Sequence, residues 1–208
     1  MERRKISGGE DGIGKIVEKH ASDKEQNRVA RTEALIAPIR ERARNLYLTR
    51  QFLCTEAVLV ALNHGLGGGL TDAQAIAIAA PFCEALGGSG CLCGALSGAV
   101  MACGLFLGND RPYRHRREVR EITHQLHDAF KAANGTTCCR VLSRKSKNDK
   151  KILFRQCAEI TAETAEMAAR LILEKRPELT TRADNAYLAR RESTIRGTLL
   201  SLVHYFSR

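Results

Sequence analysis

The chain has 208 residues, enough for one or at most two domains around a single core of useful size. Hydrophobic residues make up 44% and charged residues 27%, ordinary for a globular chain, while aromatics are only 5% with no Trp. A core built from Ala, Leu, Ile and Val argues against a β-sandwich or barrel and for helices, so we expect an all-α single domain.

The net charge of +10 is unevenly spread. No Lys or Arg lies between Arg50 and Arg111, where the acids are Glu56, Asp72, Glu84 and the final Asp110. Basic residues gather in "RPYRHRREVR" (111–120), in "SRKSKNDKK" (143–151) and at both ends. Such a rim could attract nucleic acid, an acidic partner protein or an anionic surface, although solvated helix faces account for it more simply.

Residues 1–25 are polar and Gly-containing and read as a flexible N-terminal segment. They hold no apolar run of signal-peptide length, so the chain is expected to be cytoplasmic. "GEDGIGK" (Gly9 to Lys15) imitates a phosphate-binding G-x-x-x-x-G-K, but Ile16 stands where Ser or Thr is needed and no strand precedes it. It is rejected as a nucleotide site.

A helix is predicted from about Glu25 into the forties, carrying Leu35, Ile36 and Ile39. In the next, Cys54, Ala57, Val58, Ala61 and Leu62 share one helical face, and "HGLGGG" ends it. Thr71 and Asp72 start a short helix that Pro81 disturbs. "CLCGALSGAVMACGLFLG" (91–108) then runs without charge for 18 residues, the lower end of the roughly 17–25 that span a membrane. Gly94, Ser97, Gly98 and Gly104 suit close helix contact, and the neighbouring helices are amphipathic, so this reads as a central buried helix.

From Asp110 to Asn134 a charged helix presents Val119, Ile122, Leu126 and Phe130 as its apolar stripe. His124 and His127 lie on it at i and i+3; two solvent-facing histidines are the plainer reading than a metal site. After Gly135 a short helix begins at "CCRVL", capped by Thr136 or Thr137. A basic loop leads to a long helix with Leu153, Cys157, Ile160, Thr164, Met167 and Leu171 on one side, closed by Pro177. The predicted domain therefore covers 26–176, and 177–208 form an accessory element whose amphipathic helix, Asn185 to Phe206, could dock on the core or build a homodimer.

Eight cysteines in a reducing compartment are poor candidates for structural disulfides, which leaves reactive thiols, metal ligands or inert buried groups. Cys54 and Cys157 lie on apolar helix faces. Cys93 and Cys139 follow "GGSG" and "NGTT" at helix starts, where free N–H groups and the helix dipole favour a thiolate. Intervals of 38, 45 and 17 residues separate the four, so no local C-x-x-C exists and any shared site must be assembled by the fold.

"FLCTEAVLVAL", "CGALSGAVMACGLFLG", "NGTTCCRVL" and "QCAEITAETAEMAARLI" resemble, in order, the blocks of the C_GCAxxG_C_C family, redox-active proteins named for four cysteines. The resemblance runs from about Leu48 to Glu174 and makes Cys54, Cys93, Cys139 and Cys157 the family cysteines. It implies an all-helical fold, a redox role and a redox partner protein. A further likeness to split-Soret cytochromes implies that such a fold can carry an iron–sulfur cluster, [2Fe–2S] being the expected form. With no C-x-x-C-H, covalent haem is not expected. The chain departs from the family at "FCEALGGSG", where Cys83, Glu84 and Ala85 replace glycines, and in the additional Cys83, Cys91, Cys103 and Cys138. Cys91 and Cys138 adjoin family positions and could resolve a disulfide or replace a ligand.

Two function classes result. In the first, Cys54, Cys93, Cys139 and Cys157 converge on one centre and ligate the cluster, with Cys93 and Cys139 preset as thiolates; a metal-free variant forms an exchangeable disulfide at Cys93. In the second, a basic helical module binds phosphates through Arg111, Arg114, Arg116, Arg117 and Arg120, and the thiols are structural. No helix-turn-helix or stacking aromatics support the second, and a membrane-embedded 91–108 helix is rated lower still.

Overall fold

A computed structural model of the chain describes residues 10–108 and 112–193. Their order is α1 (Glu10–Leu48), α2 (Cys54–Gly65), α3 (Asp72–Ala79), α4 (Gly94–Leu107), α5 (Pro112–Asn134), α6 (Cys139–Leu142), α7 (Lys150–Lys175) and α8 (Asn185–Ala189). The fold is all-α, as the composition requires. One isolated antiparallel bridge, Leu92 with Cys138, is the only β pairing among the described residues.

The core is a four-helix arrangement in which α1 packs along α7, and α2 and α4 lie against each other and against α7. α2 is not amphipathic as its sequence suggests. Besides Ala57, Val58, Ala61 and Leu62 it buries Leu59, Val60 and Asn63, because α1, α3, α4 and α7 surround it. The 91–108 stretch becomes the buried α4, and no helix among the described residues is long and apolar enough to cross a membrane. Two of its glycines set the spacing. A β-carbon on Gly98 would strike the Thr55 carbonyl, and one on Gly94 would strike the Cys54 sulfur, whereas Gly104 faces open space. The small-residue reading therefore holds for the first two turns of α4, where it meets α2, and not for its last.

Thr71 caps α3 by accepting from the Gln74 amide at 3.2 Å, and Pro81 falls in the 3-10 turn Ala80–Phe82 that follows. On α5 the stripe of Ile122, Leu126 and Phe130 is buried, with Val119 at its margin. Along α7 the predicted Ile160 and Thr164 are buried, but the face as a whole is displaced: Ala158, Thr161, Ala165, Ala168 and Ile172 also point inward, while Leu153, Cys157, Met167 and Leu171 lie at its edge. Small residues allow α1 and α4 to approach, so alanine rather than leucine marks the contact. Asp149 caps α7, accepting from the Lys151 and Ile152 amides at 2.9 and 3.0 Å.

At its start α1 is already helical at Glu10, within the stretch read from sequence as flexible. Beyond Pro177 the chain makes a 3-10 turn and the short α8, after which residues 191–193 are not helical. Most of the predicted Asn185–Phe206 helix, residues 194–208, lies outside the described residues, and so does Arg111. The described part is tied down firmly: Asn45 exchanges two 3.0 Å hydrogen bonds with the Glu192 backbone, and the buried Arg42 guanidinium pairs with the Glu192 carboxylate.

Candidate thiol centre

Three helix starts meet at one place. Cys54 is the first residue of α2, Cys93 immediately precedes α4, and Cys139 opens α6. Cys157 approaches them from the second turn of α7. The loop before α4 and the loop before α6 are zipped together: the Cys93 amide donates to Thr137 O and the Cys139 amide to Cys91 O, both at 2.8 Å. This pairing of segments 46 positions apart (Leu92 with Cys138) is what carries Cys139 to Cys93.

A cavity of about 30 Å³ is lined by all four cysteines, together with Gly94, Leu142, Leu153 and Ile160. The four sequence-predicted residues are thus brought together. They do not form a compact ligand cage as they stand. Among the described residues, the set of three groups whose ligand atoms lie within 4.8 Å of one another is His124, His127 and Asp128 on α5, and the cysteines form none. His124 and His127 are the solvent-facing pair expected from the sequence, each beside the Asp128 carboxylate.

All four thiols are pushed up from their ordinary range, and in each case burial is the main cause. Cys93 rises to about 12 although the Leu96 and Ala95 N–H groups favour its ionised form. Cys157 rises to about 11, reinforced by the neighbouring Cys54 and opposed by the Tyr47 hydroxyl. The expectation that helix starts hold Cys93 and Cys139 as thiolates is therefore not met. Partial charges at a helix end contribute about 1 kcal/mol, less than the loss of water around a sulfur anion.

Polar groups still aim at the sulfurs. The Glu84 and Thr55 amides face Cys54. Thr55 Oγ1 is fully buried and has no partner in hydrogen-bond geometry, yet it stands beside Cys54 and Cys83. The Tyr47 hydroxyl lies against Cys157, its ring stacked on Phe154 at 5.0 Å, and its own acidity is suppressed by burial and by the thiols around it. Tyr47 carries no sequence signal, since the register of α1 against α7 alone brings it here. Thr55 and Gly94 adjoin family cysteines and could have been found from that adjacency.

Glu84 reaches Cys54 through an unusual backbone. Within the Cys83–Gly87 turn, Glu84, Ala85 and Leu86 have φ of 52, 61 and 61°. Two of the three, Glu84 and Ala85, are positions where the sequence departs from a glycine-rich pattern, and the conformation is one that glycine adopts most readily.

The additional cysteines divide. Cys83 is buried next to Thr55, one side chain from Cys54, and its thiol points at Ala79 O. The Cys138 thiol points at Gly90 O at 3.4 Å, and Cys91 is exposed. Cys103 is buried in α4, raised to about 12 by burial alone with no other thiol contributing. Of the basic residues proposed to bind phosphates, Arg116, Arg117 and Arg120 are exposed on α5.

A family model described as "Putative redox-active protein (C_GCAxxG_C_C)" matches residues 52–171. No curated protein and no solved structure matches the chain.

Proposed function

Since the chain belongs to the C_GCAxxG_C_C family of redox-active proteins, we propose that its redox unit is an iron–sulfur cluster, [2Fe–2S] in form, ligated by Cys54, Cys93, Cys139 and Cys157. The observation that supports this reading is the single cavity these four residues share although they come from four separate elements.

The donor set suits the group. Four sulfurs and no carboxylate or imidazole line the cavity, the choice of a soft or thiophilic metal. A bare thiol pushed up by burial is a poor nucleophile, whereas a coordinated thiol loses its proton outright, so the same burial that weakens exchange chemistry is compatible with ligation. One tetrahedral ion would draw four sulfurs to within about 4 Å of one another, whereas no three of these sulfurs lie mutually within 4.8 Å; a two-iron cluster takes its ligands in two pairs and so asks for less crowding. When bound, such a cluster supplies one-electron transfer.

The chain's own residues would then set its conditions. The Glu84, Leu96 and Ala95 amides and the Tyr47 hydroxyl face the sulfurs, and the unpartnered Thr55 hydroxyl beside Cys54 is free to donate to a ligated sulfur; donors of this kind would raise a cluster's potential. Leu142, Leu153 and Ile160 keep water from the inner side. We place this activity in the cytoplasm, with a redox partner protein as the source or acceptor of electrons.

The test is anaerobic purification with iron, acid-labile sulfide and visible absorbance measured together, on the native chain and on Cys93→Ser. Stoichiometric iron and sulfide that fall in the variant support the reading; a colourless native protein without either ends it. A second reading, an exchangeable disulfide, draws on the contact of the Cys54 sulfur with the residue that follows Cys93. It predicts a colourless protein that loses two titratable thiols, two protons and two electrons on mild oxidation.

A further inference from the structure

Beside the thiols lies a much larger opening, a cleft of about 660 Å³. Cys54, Cys139 and Cys157 line both spaces, whereas Cys93 lines only the small inner cavity. The cleft therefore borders the centre through Cys54, Cys139 and Cys157, with Cys93 set further in.

The walls and the rim of this cleft differ in chemistry. Leu53, Leu153 and Phe154 supply apolar wall, and Arg140, Lys147 and Lys150 supply positive charge against the single carboxylate of Glu84. None of the three cations is paired with a carboxylate within 4.0 Å among the described residues. Arg140 is held in place by donating to Ser89 O at 2.6 Å, which fixes one end of the rim to the loop that precedes α4. Behind the wall, the Arg50 guanidinium lies 4.9 Å from the Phe154 ring centre and adds to the field.

We propose that this cleft binds a small organic anion, a carboxylate or phosphate ester with an apolar body, as the small-molecule partner of the thiol centre. The inference rests on the redox reading of the four cysteines for its purpose, though not for the binding itself. Ligand sites of this size commonly measure about 300–1,000 Å³ and combine apolar lining with a few convergent charged groups. Unpaired cations around a concave, partly apolar surface concentrate anions there. An inorganic ion would leave the apolar wall uncovered, and a neutral molecule would leave the excess of positive charge over Glu84 uncompensated. The anionic end belongs at Lys147 and Lys150, and the apolar end against Leu153 and Phe154, within reach of Cys139.

Titration calorimetry with 1-naphthyl phosphate, 1-naphthoate, 1-naphthol and inorganic phosphate tests this on the full chain. One of the two naphthyl anions should bind at least about tenfold more tightly than naphthol and than phosphate, and which one does so tells phosphate from carboxylate recognition. Lys147→Glu with Lys150→Glu should weaken that binding at least about tenfold without moving the thermal midpoint, since both side chains are exposed. If charge reversal lowers the midpoint, Lys147→Gln with Lys150→Gln replaces it, with a smaller loss expected. Equal binding of naphthol, no binding of either anion, or undiminished binding in the variants overturns the proposal. Iron and sulfide measured in the same samples judge the cluster separately, because these variants keep all four cysteines.

Discussion

Gly94 and Cys54 occupy the same space to within one carbon atom: a β-carbon on Gly94 would overlap the Cys54 sulfur and lie 2.7 Å from Thr55 Oγ1. The contact joins the first turn of α4 to the first turn of α2 and sets the distance between two of the four cysteines.

Gly94→Ala should therefore separate the two helix starts. The backbone cannot give way easily, because the Thr55 carbonyl already closes on Gly98 one turn later. Overpacking of this kind costs about 1–3 kcal/mol. Urea unfolding should show that loss, and iron content should fall with it. Gly104→Ala, with nothing within 4 Å, is the control and should leave both unchanged or gain stability from alanine's helix preference.

Cys103→Ser and Cys93→Ser separate membership of the centre from mere burial. Both thiols are buried and both are raised to about 12, but only Cys93 feels other thiols. Iron per chain should stay at the native value in Cys103→Ser, once the folded fraction is allowed for, and drop in Cys93→Ser. Equal iron in the two variants would contradict the assignment of Cys93.

Leu86→Gly should stabilise the protein. Leu86 has φ 61° and is exposed, so its side chain contributes little burial while its backbone is held in a region that costs non-glycine residues about 1–2 kcal/mol. Part of that gain is offset by glycine's greater freedom when unfolded. A rise in thermal midpoint of about 2 °C is the expected result, and a fall would show that the turn is not strained at this position.

Acid should release the 184–193 segment from α1. Burial raises the Glu192 carboxyl, but the hydrogen bond and charge of Arg42 outweigh it and leave the pKa below its ordinary 4.5. A depressed folded value means stability that is complete above the unfolded pKa and is lost as pH falls through the folded one. The thermal midpoint of the native chain should thus converge on that of Glu192→Gln below about pH 4.5 and exceed it near neutrality. The two curves running parallel from pH 7 to pH 3 would exclude this carboxylate as the cause.

Much of this fold was legible before any coordinates. Thr71 with Gln74 and the Ile122–Leu126–Phe130 stripe are local signals, and local structure answered to them. Where reading failed, contact had replaced periodicity: α2 is buried on all sides and the inner face of α7 is drawn by alanines. The direction of the Cys93 and Cys139 shifts is not legible in the sequence either, because a helix end is visible there and desolvation is not.

By itself the sequence determined the helical class and, through its resemblance to the family, singled out four cysteines as candidates, since residue type and order need no neighbours to be read. Only the tertiary structure decided that Cys54, Cys93, Cys139 and Cys157 line one cavity, that Tyr47 and Thr55 stand over their sulfurs, and that a basic cleft opens beside them. Those relations depend on how far one helix slides against another, which is settled by side-chain volume at contacts such as Gly94 with Cys54 and by the Leu92–Cys138 pairing of two distant loops. No spacing along the chain records either.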